Sequence, residues 1–363
     1  MRVISVVGAR PQFVKLAPID HALREAGMEH TIVHTGQHYD PMLSDVFFED
    51  LGIAEPSVHL GVGSASHGKQ TGAIMAALDD VFQEVAPDWV LVYGDTNSTL
   101  AAALSAVKLH IPLAHLEAGL RSFNRKMPEE HNRVLTDHAA DLLLTPTEVG
   151  AEHLAAEGIV DGVVITGDVM TDVLFQTRDK VKDDPSPLTK TLDLLPGTYS
   201  VATIHRAENT DDPARLAAVL DSLSRVDHPV VILAHPRLLA KASEHGLEVG
   251  SGNLIVHAPL PYPELVSAVM KSRGVITDSG GLQKEAFLLR VPCTTVRTET
   301  EWVETVDLGW NVLVEPGEGM TAAAQRRQPE PTDAMPYGDG HAAAKVVVAL
   351  REYANLPRGS STR

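Results

Sequence analysis

The 363-residue chain is 44% hydrophobic and 21% charged, carries a formal net charge of −18 at pH 7 and has a single cysteine. That length fits two globular domains with ordinary cores, and the acidic balance argues against nucleic acid or an anionic membrane surface as a partner. One cysteine excludes an internal disulfide and a multi-cysteine zinc site. The N-terminus shows neither a signal peptide nor an apolar run of roughly 18 residues, so a soluble, cytoplasmic protein is expected.

Arg2–Val7 is a β-branched run that predicts a buried first strand. Gly8-Ala9-Arg10-Pro11 turns the chain, Pro11 suits a first helical position, and Val14, Leu16, Ile19 and Leu23 give helical apolar spacing. Arg10 ends the strand and Lys15 lies one turn into the helix, so both can face a ligand over the sheet edge. The turn lacks the G-x-G-x-x-G of dinucleotide binding. Glu29–Thr35 reads as the second strand, running into the polar loop Gly36-Gln37-His38-Tyr39-Asp40, and Met42–Phe48 as a short helix. His34 and His38 lie one helical turn apart in sequence, but Gly36 and the change from strand to loop spoil a metal pair. Gly63, Gly68 and Lys69 fit the start of a P-loop. Gln70 stands where the Mg²⁺-binding hydroxyl belongs, and no clear strand leads into the glycines, so an ATPase is rejected. A helix is expected from Thr71 to Val85.

Asp88–Tyr93 predicts a parallel strand, followed by an Ala-rich helix to Lys108. Asp95, between them, fits a helix cap and equally the place where open α/β sheets hold ligands. Ile111–Glu117 reads as a strand whose alternation puts His115 and Glu117 on one face. A carboxylate ending an otherwise apolar strand is costly to bury unpaired, which favours a functional role for Glu117. Pro128 opens a helix in which Glu129 and Glu130 are ordinary complements of the helix dipole. Asp141–Thr145 and Val163–Thr166 are further strands, Val169–Val181 a helix, and Lys182–Pro196 the bridge to a second domain.

A second βα series follows. Tyr199–Ile204 ends in His205-Arg206, Pro229–Leu233 in Ala234-His235, and Asn253–Val256 precedes a helix near Glu264. Gly274–Thr277 runs into Asp278-Ser279-Gly280-Gly281 and a helix beginning near Leu282. Asp or Ser is the right N-cap, and glycines let a ligand approach the backbone. The helix N-terminus is an anion site, and Glu285 on the first turn suits a sugar diol, so phosphate plus ribose suggests a nucleotide. Pro292–Val296, followed by Arg297, and Gly309–Val314 close the sheet, residues 317–334 show no clear pattern, and a last helix spans Ala342–Tyr353. Cys293 opens an apolar run and reads as a buried small hydrophobe.

The expected fold is α/β, two doubly wound Rossmann-like domains facing a cleft: 1–170, then 171–341, with a helix at 342–358 packing back on the first domain and a disordered tail at 359–363. The shared strand-end position of Arg10, Lys15, Asp95, Glu117, His205, Ser279, Glu285 and Arg297 is what points to that cleft.

Several separated motifs in order resemble the non-hydrolysing UDP-N-acetylglucosamine 2-epimerases over nearly the whole chain. They are Gly8-Ala-Arg-Pro-Gln-Phe-Val-Lys15, Gly36-Gln-His38, Tyr93-Gly-Asp-Thr96, His115-Leu-Glu-Ala-Gly-Leu-Arg121, Pro128-Glu-Glu130 with Asn132-Arg133, His205-Arg206 and Thr277-Asp-Ser-Gly-Gly-Leu-Gln-Lys-Glu-Ala286. The resemblance implies the GT-B-like fold and interconversion of UDP-GlcNAc and UDP-ManNAc, by elimination of UDP to 2-acetamidoglucal and re-addition. It implies Asp95, Glu117 and Glu129 as acid/base groups and His205 as their electrostatic or proton-transfer partner near the diphosphate. Arg10, Lys15, Ser279, Gly280 and Gly281 would hold phosphates, Glu285 the ribose, and Arg297 would line the sugar site. Some relatives are activated by UDP-GlcNAc beside the active site, for which Gln37, His38, Gln70 and His235 are the counterparts here. No cofactor or metal is implied; the partner is a UDP-sugar and the expected assembly a homodimer.

Lys284-Glu285 replaces a Glu pair of many members, and Gln37-His-Tyr-Asp40 and Thr300-Glu-Trp-Val-Glu304 resemble a branch that includes enzymes for UDP-2,3-diacetamido-glucuronate. A 2-epimerase of that sugar and a GT-B glycosyltransferase are therefore the alternatives carried, beside a hydrolysing epimerase and a catalytically silent sensor.

Overall fold

The computed structural model describes residues 1–37, 53 and 55–354, and of Arg10 only the backbone. The expected Met42–Phe48 helix, His38 and the C-terminal tail lie outside the described residues. The chain divides into a first unit of Met1–Val173 with Pro336–Arg363 and a second of Leu174–Met335.

The first unit is built on a seven-stranded sheet: β1 (Arg2–Val7), β2 (Glu29–His34), β3 (Val58–His59), β4 (Trp89–Tyr93), β5 (Leu113–Leu116), β6 (Leu142–Thr145) and β7 (Val163–Ile165). Their order is β3-β2-β1-β4-β5-β6-β7, and every pair is parallel. Parallel strands need crossover helices on both faces, so both faces are buried and the strands read as apolar runs. Alternation along β1 shows this directly. Val3 and Val7 enter a core with Leu16, Ile19 and Leu23 of the Arg10–Glu25 helix and Val346 and Leu350 of the Ala342–Ala354 helix. Ile4 and Val6 enter the opposite core, with Ile74, Leu78 and Phe82 of the His67–Val85 helix.

The second unit repeats the plan with β8 (Ser200–Thr203), β9 (Val230–Leu233), β10 (Leu254–His257), β11 (Gly274–Thr277), β12 (Cys293–Thr295) and β13 (Asn311–Leu313), ordered β10-β9-β8-β11-β12-β13 and parallel throughout. Cys293 is fully buried in one of its cores, and burial pushes its thiol up to about 12, which makes it inert.

Local departures from the sequence expectation are short elements. β3 pairs with β2 through only two residues, too few for a periodic signal. The helix expected at Thr71 starts at His67, and the Glu148–Ala156, Pro236–Glu244 and Glu318–Ala324 helices were not foreseen. The bridge segment contains a helical turn, Pro187–Thr191. His34 stacks on Phe13 at 5.2 Å, and burial, with His59 nearby, holds its ring down at about 4, so it is neutral. No metal-binding group of side chains occurs among the described residues.

Candidate functional site

In each sheet the chain works outward from a central strand and then returns to that strand's other side, so the reversals lie between β1 and β4 and between β8 and β11. Segments leaving those strand ends diverge to opposite faces and open a crevice, the usual ligand position in open α/β sheets.

The first-unit crevice is stitched by Gln12. Its Oε1 accepts from the Gly8 and Ala9 N–H groups at 2.8 and 3.1 Å, and its Nε2 donates to the Tyr93 carbonyl at 2.7 Å. Gly8 is held close to a buried hydroxyl pair. A Cβ there would fall 2.2 Å from Thr35 Oγ1 and 2.3 Å from Ser98 Oγ, which hydrogen-bond each other at 2.8 Å. Gly8→Ala is therefore expected to destabilise the fold by about 1–3 kcal/mol, as overpacking does; an unchanged urea midpoint would refute this.

Lys15, in the Arg10–Glu25 helix that follows β1, and Glu117, just after β5, form an ion pair. Burial alone would lower the Lys15 pKa, but Glu117, with Asp168 and Asp95, raises it above the ordinary value, so the lysine stays charged. The expected shared face of His115 and Glu117 does not exist. β5 ends at Leu116, and Glu117 takes a left-handed φ of 70°, which breaks the alternation. The His115 ring instead meets Asp137 and the Gly94 carbonyl. Asp95 is likewise not a helix cap. Thr96 caps the Asn97–Lys108 helix, and the Asp95 carboxylate pairs with Arg133 at 2.5 Å. Arg133 also holds Glu130, at 3.0 Å, and Glu130 accepts from Ser122 N and Phe123 N at 2.9 and 2.8 Å. Glu129, one residue earlier, is half-buried with no side-chain partner among the described residues. Of the adjacent pair, Glu130 organises structure and Glu129 is left available.

In the second unit Ser279 caps the helix after β11, its Oγ accepting from Leu282 N at 3.4 Å. That helix starts at Gly280, earlier than expected, so Glu285 lies in the second turn, where its Oε1 accepts from the Tyr262 hydroxyl at 2.9 Å. Arg297, after β12, is buried and paired with Glu301 at 2.9 Å. Glu301 borders the helix N-terminus closely enough that a Cβ at Gly280 would sit 2.3 Å from its Oε1, while Gly281 is open. Asp278 does not cap the helix. Its fully buried carboxylate turns back to accept from His205 N, Arg206 N and Asn209 Nδ2 at 2.9–3.1 Å, and pairs with His205 Nδ1 at 3.0 Å. Burial alone would raise this carboxyl, but those bonds hold it below the usual carboxylate range. The His205 ring stays 40% exposed, with Nε2 outward and the His235 ring 5.9 Å away.

A family model described as "UDP-N-acetylglucosamine 2-epimerase" matches residues 21–351. The chain belongs to the UDP-N-acetylglucosamine 2-epimerase family. This epimerase, an isomerase by family, is 42% identical to a UDP-N-acetylglucosamine 2-epimerase homolog of Methanococcus maripaludis over 97% of this chain and 99% of that one. It is equally 42% identical to the UDP-2,3-diacetamido-2,3-dideoxy-D-glucuronate 2-epimerase of Pseudomonas aeruginosa, over 96% and 99%. The UDP-GlcNAc 2-epimerase of Methanocaldococcus jannaschii superposes with a TM-score of 0.85, or 0.78 in its complex with UDP-GlcNAc and UDP. Its identity is 34%, over 97% of this chain and 100% of that one. The fold of this epimerase is thus GT-B-like.

Of the residues expected to hold an activator, Gln37 accepts from Ser98 N and Oγ at 3.0 and 2.7 Å, and Gln70 bridges Gly63 O and Asn97 Nδ2 at 3.1 and 2.8 Å. His235 caps the Pro236–Glu244 helix. The contacts of Asp278, Arg133 and Gln12 with His205, Asp95 and the Tyr93 carbonyl were not foreseen from the sequence. Each of the three residues lies inside a quoted motif, but each acts through a partner distant in sequence, which no local pattern exposes.

Proposed function

We propose that the chain interconverts UDP-GlcNAc and UDP-ManNAc. The observation that carries this reading is Glu117, a carboxylate held in a left-handed turn at a strand end and paired to a charged lysine in the crevice of the first unit. C2–H of the sugar is not next to a carbonyl, so a carboxylate takes that proton only as the C1–O bond to UDP breaks. UDP leaves with the bonding pair, and C1=C2 of 2-acetamidoglucal forms. Return of UDP to C1 with a proton delivered to the other face of C2 completes inversion. Two faces require two acid/base groups, or one mobile one. Asp95, Glu117 and Glu129 are the groups assigned to this work. Lys15 holds Glu117 by an ion pair.

The second unit is assigned the UDP moiety. The Ser279-Gly280-Gly281 helix start offers N–H groups to phosphate. Glu285, oriented by Tyr262, is assigned the ribose, His205 the leaving diphosphate and Arg297 the sugar, while Arg10 is the phosphate-binding residue assigned in the first unit. Gln37, His38, Gln70 and His235 remain the residues proposed for activation by UDP-GlcNAc. A homodimer in the cytoplasm comes with the family resemblance and belongs to the same proposal. The 42% identity to the diacetamido-glucuronate enzyme supports a second reading, in which that sugar is the substrate.

Incubation with each UDP-sugar in D₂O, followed by proton NMR, separates the outcomes. UDP-ManNAc with deuterium at C2 is the expected product from UDP-GlcNAc. Turnover of only the diacetamido-uronate would favour the second reading. Free ManNAc plus UDP would indicate hydrolysis, and turnover only with an acceptor would indicate a transferase.

A further inference from the structure

The three carboxylates assigned to acid/base work sit on three separate segments: Asp95 after β4, Glu117 after β5 and Glu129 on the Pro128–Ala139 helix. Proton transfer at one carbon requires those segments to be registered to one another within a fraction of an ångström. The groups that do this are buried beneath them, and the mechanism above does not use them.

His115 is fully buried on β5. Its Nε2 lies 2.7 Å from the Gly94 carbonyl and its Nδ1 2.6 Å from Asp137 Oδ1. A carbonyl can only accept, so Nε2 carries a proton. Asp137 is held below the usual carboxylate range: burial opposes this, but His115 and Arg121 outweigh it. Its carboxylate faces Nδ1, so both ring nitrogens are tied to fixed partners. Asp137 Oδ2 accepts from Gly119 N at 3.1 Å and from Arg121 at 2.7 Å, and Arg121 in turn pairs with Glu157 at 2.7 Å. The buried charges alternate in sign along this chain, which is how such a cluster is tolerated.

The bonds of this cluster end next in the chain to Asp95, in the turn of Glu117, and on the helix that carries Glu129. The Gly94 carbonyl belongs to the peptide that enters Asp95. Gly119 N closes the left-handed turn that begins at Glu117. Asp137 lies on the helix that carries Glu129 and Arg133, the partner of Asp95.

We propose that His115 is a positioning residue for the epimerisation: bonded to Gly94 and Asp137, it fixes the three segments that carry Asp95, Glu117 and Glu129. This rests on the functional reading above and deepens it.

His115→Gln removes the two-ended clamp. It is expected to lower kcat by about 30–100-fold, the scale of an ångström of misplacement, with KM changed less than about threefold and UDP affinity by calorimetry unchanged. A merely structural role would lower the melting temperature and leave the kcat of folded enzyme alone. Asp137 supplies a second, independent arm. In Asp137→Asn the amide nitrogen can donate to a neutral His115 Nδ1, and the amide oxygen can still accept from Gly119 and Arg121, so the bond to Gly94 survives. Asp137→Asn should therefore recover most of the kcat that Asp137→Ala loses.

Wild-type kcat in His115→Gln, or equal losses in Asp137→Asn and Asp137→Ala, overturns the proposal. If His115→Gln fails to fold, the Asp137 pair decides alone. Wild-type protein that exchanges the C2 proton of neither UDP-sugar sinks the functional reading and this inference with it, an outcome distinct from an active wild type with an unimpaired His115 variant.

Discussion

Glu117→Gln is expected to lower kcat by about 10²–10⁴-fold, the usual weight of a positioned general acid or base, while UDP affinity stays within about twofold. The substitution nearly preserves shape. Lys15 can still donate to the amide oxygen, so the contact at the end of β5 persists without its charge. What is lost is the ability to take a proton from C2. Exchange of the C2 proton with D₂O should stop along with epimerisation, because both need the same transfer. Lys15 also feels Asp168 and Asp95, so it keeps electrostatic support and the fold should survive. Retained turnover in the folded variant would remove Glu117 from the mechanism and leave Asp95 and Glu129 as the proton-transfer groups. Loss of UDP affinity in step with kcat would mean that Glu117 acts through binding.

The doubly wound α/β plan was legible because β1, β4 and β11 are short, mainly apolar runs that end in Gly8, Gly94 or Asp278-Ser279, and such runs buried on both faces have few other readings. Glu117 was legible as a polar anomaly, but its conformation was not. Period-2 reasoning assumes that the strand continues, and the left-handed φ at Glu117 ends it one residue early. The partners of Asp95 and Asp278 were hidden by a different ambiguity. Both aspartates precede a helix, where an acidic residue is ordinary cap chemistry, and a Thr or Ser next in the chain takes the cap instead. Only the folded chain shows that the displaced carboxylates serve Arg133 and His205. Glu129 and Glu130 are indistinguishable in a helix's first turn until the backbone N–H groups of Ser122 and Phe123 select Glu130.

The pairing of His205 with Asp278 carries the other large expected effect. His205→Asn should lower kcat by about 10²–10³-fold, the scale of losing one preorganised donor to a developing anion. With Nδ1 directed to Asp278, Nε2 is the nitrogen left to face the departing diphosphate. Asp278→Asn should reproduce the kinetic loss and also destabilise the second unit, because an amide cannot accept from all the donors that surround the carboxylate. The acid limb of stability separates the two variants. The Asp278 carboxyl lies below its ordinary value in the folded state, so its contribution is complete above the unfolded-state value, about 3.9, and is lost as pH falls through the lower folded value. Melting temperatures below pH 4 should therefore fall less steeply in Asp278→Asn than in wild type, whereas His205→Asn, which keeps the carboxylate and its three backbone and amide donors, should retain most of the wild-type slope. A His205→Asn enzyme with wild-type kcat would leave Asp278 as a purely structural organiser of the β8 exit and would shift stabilisation of the leaving group to the Ser279 helix start.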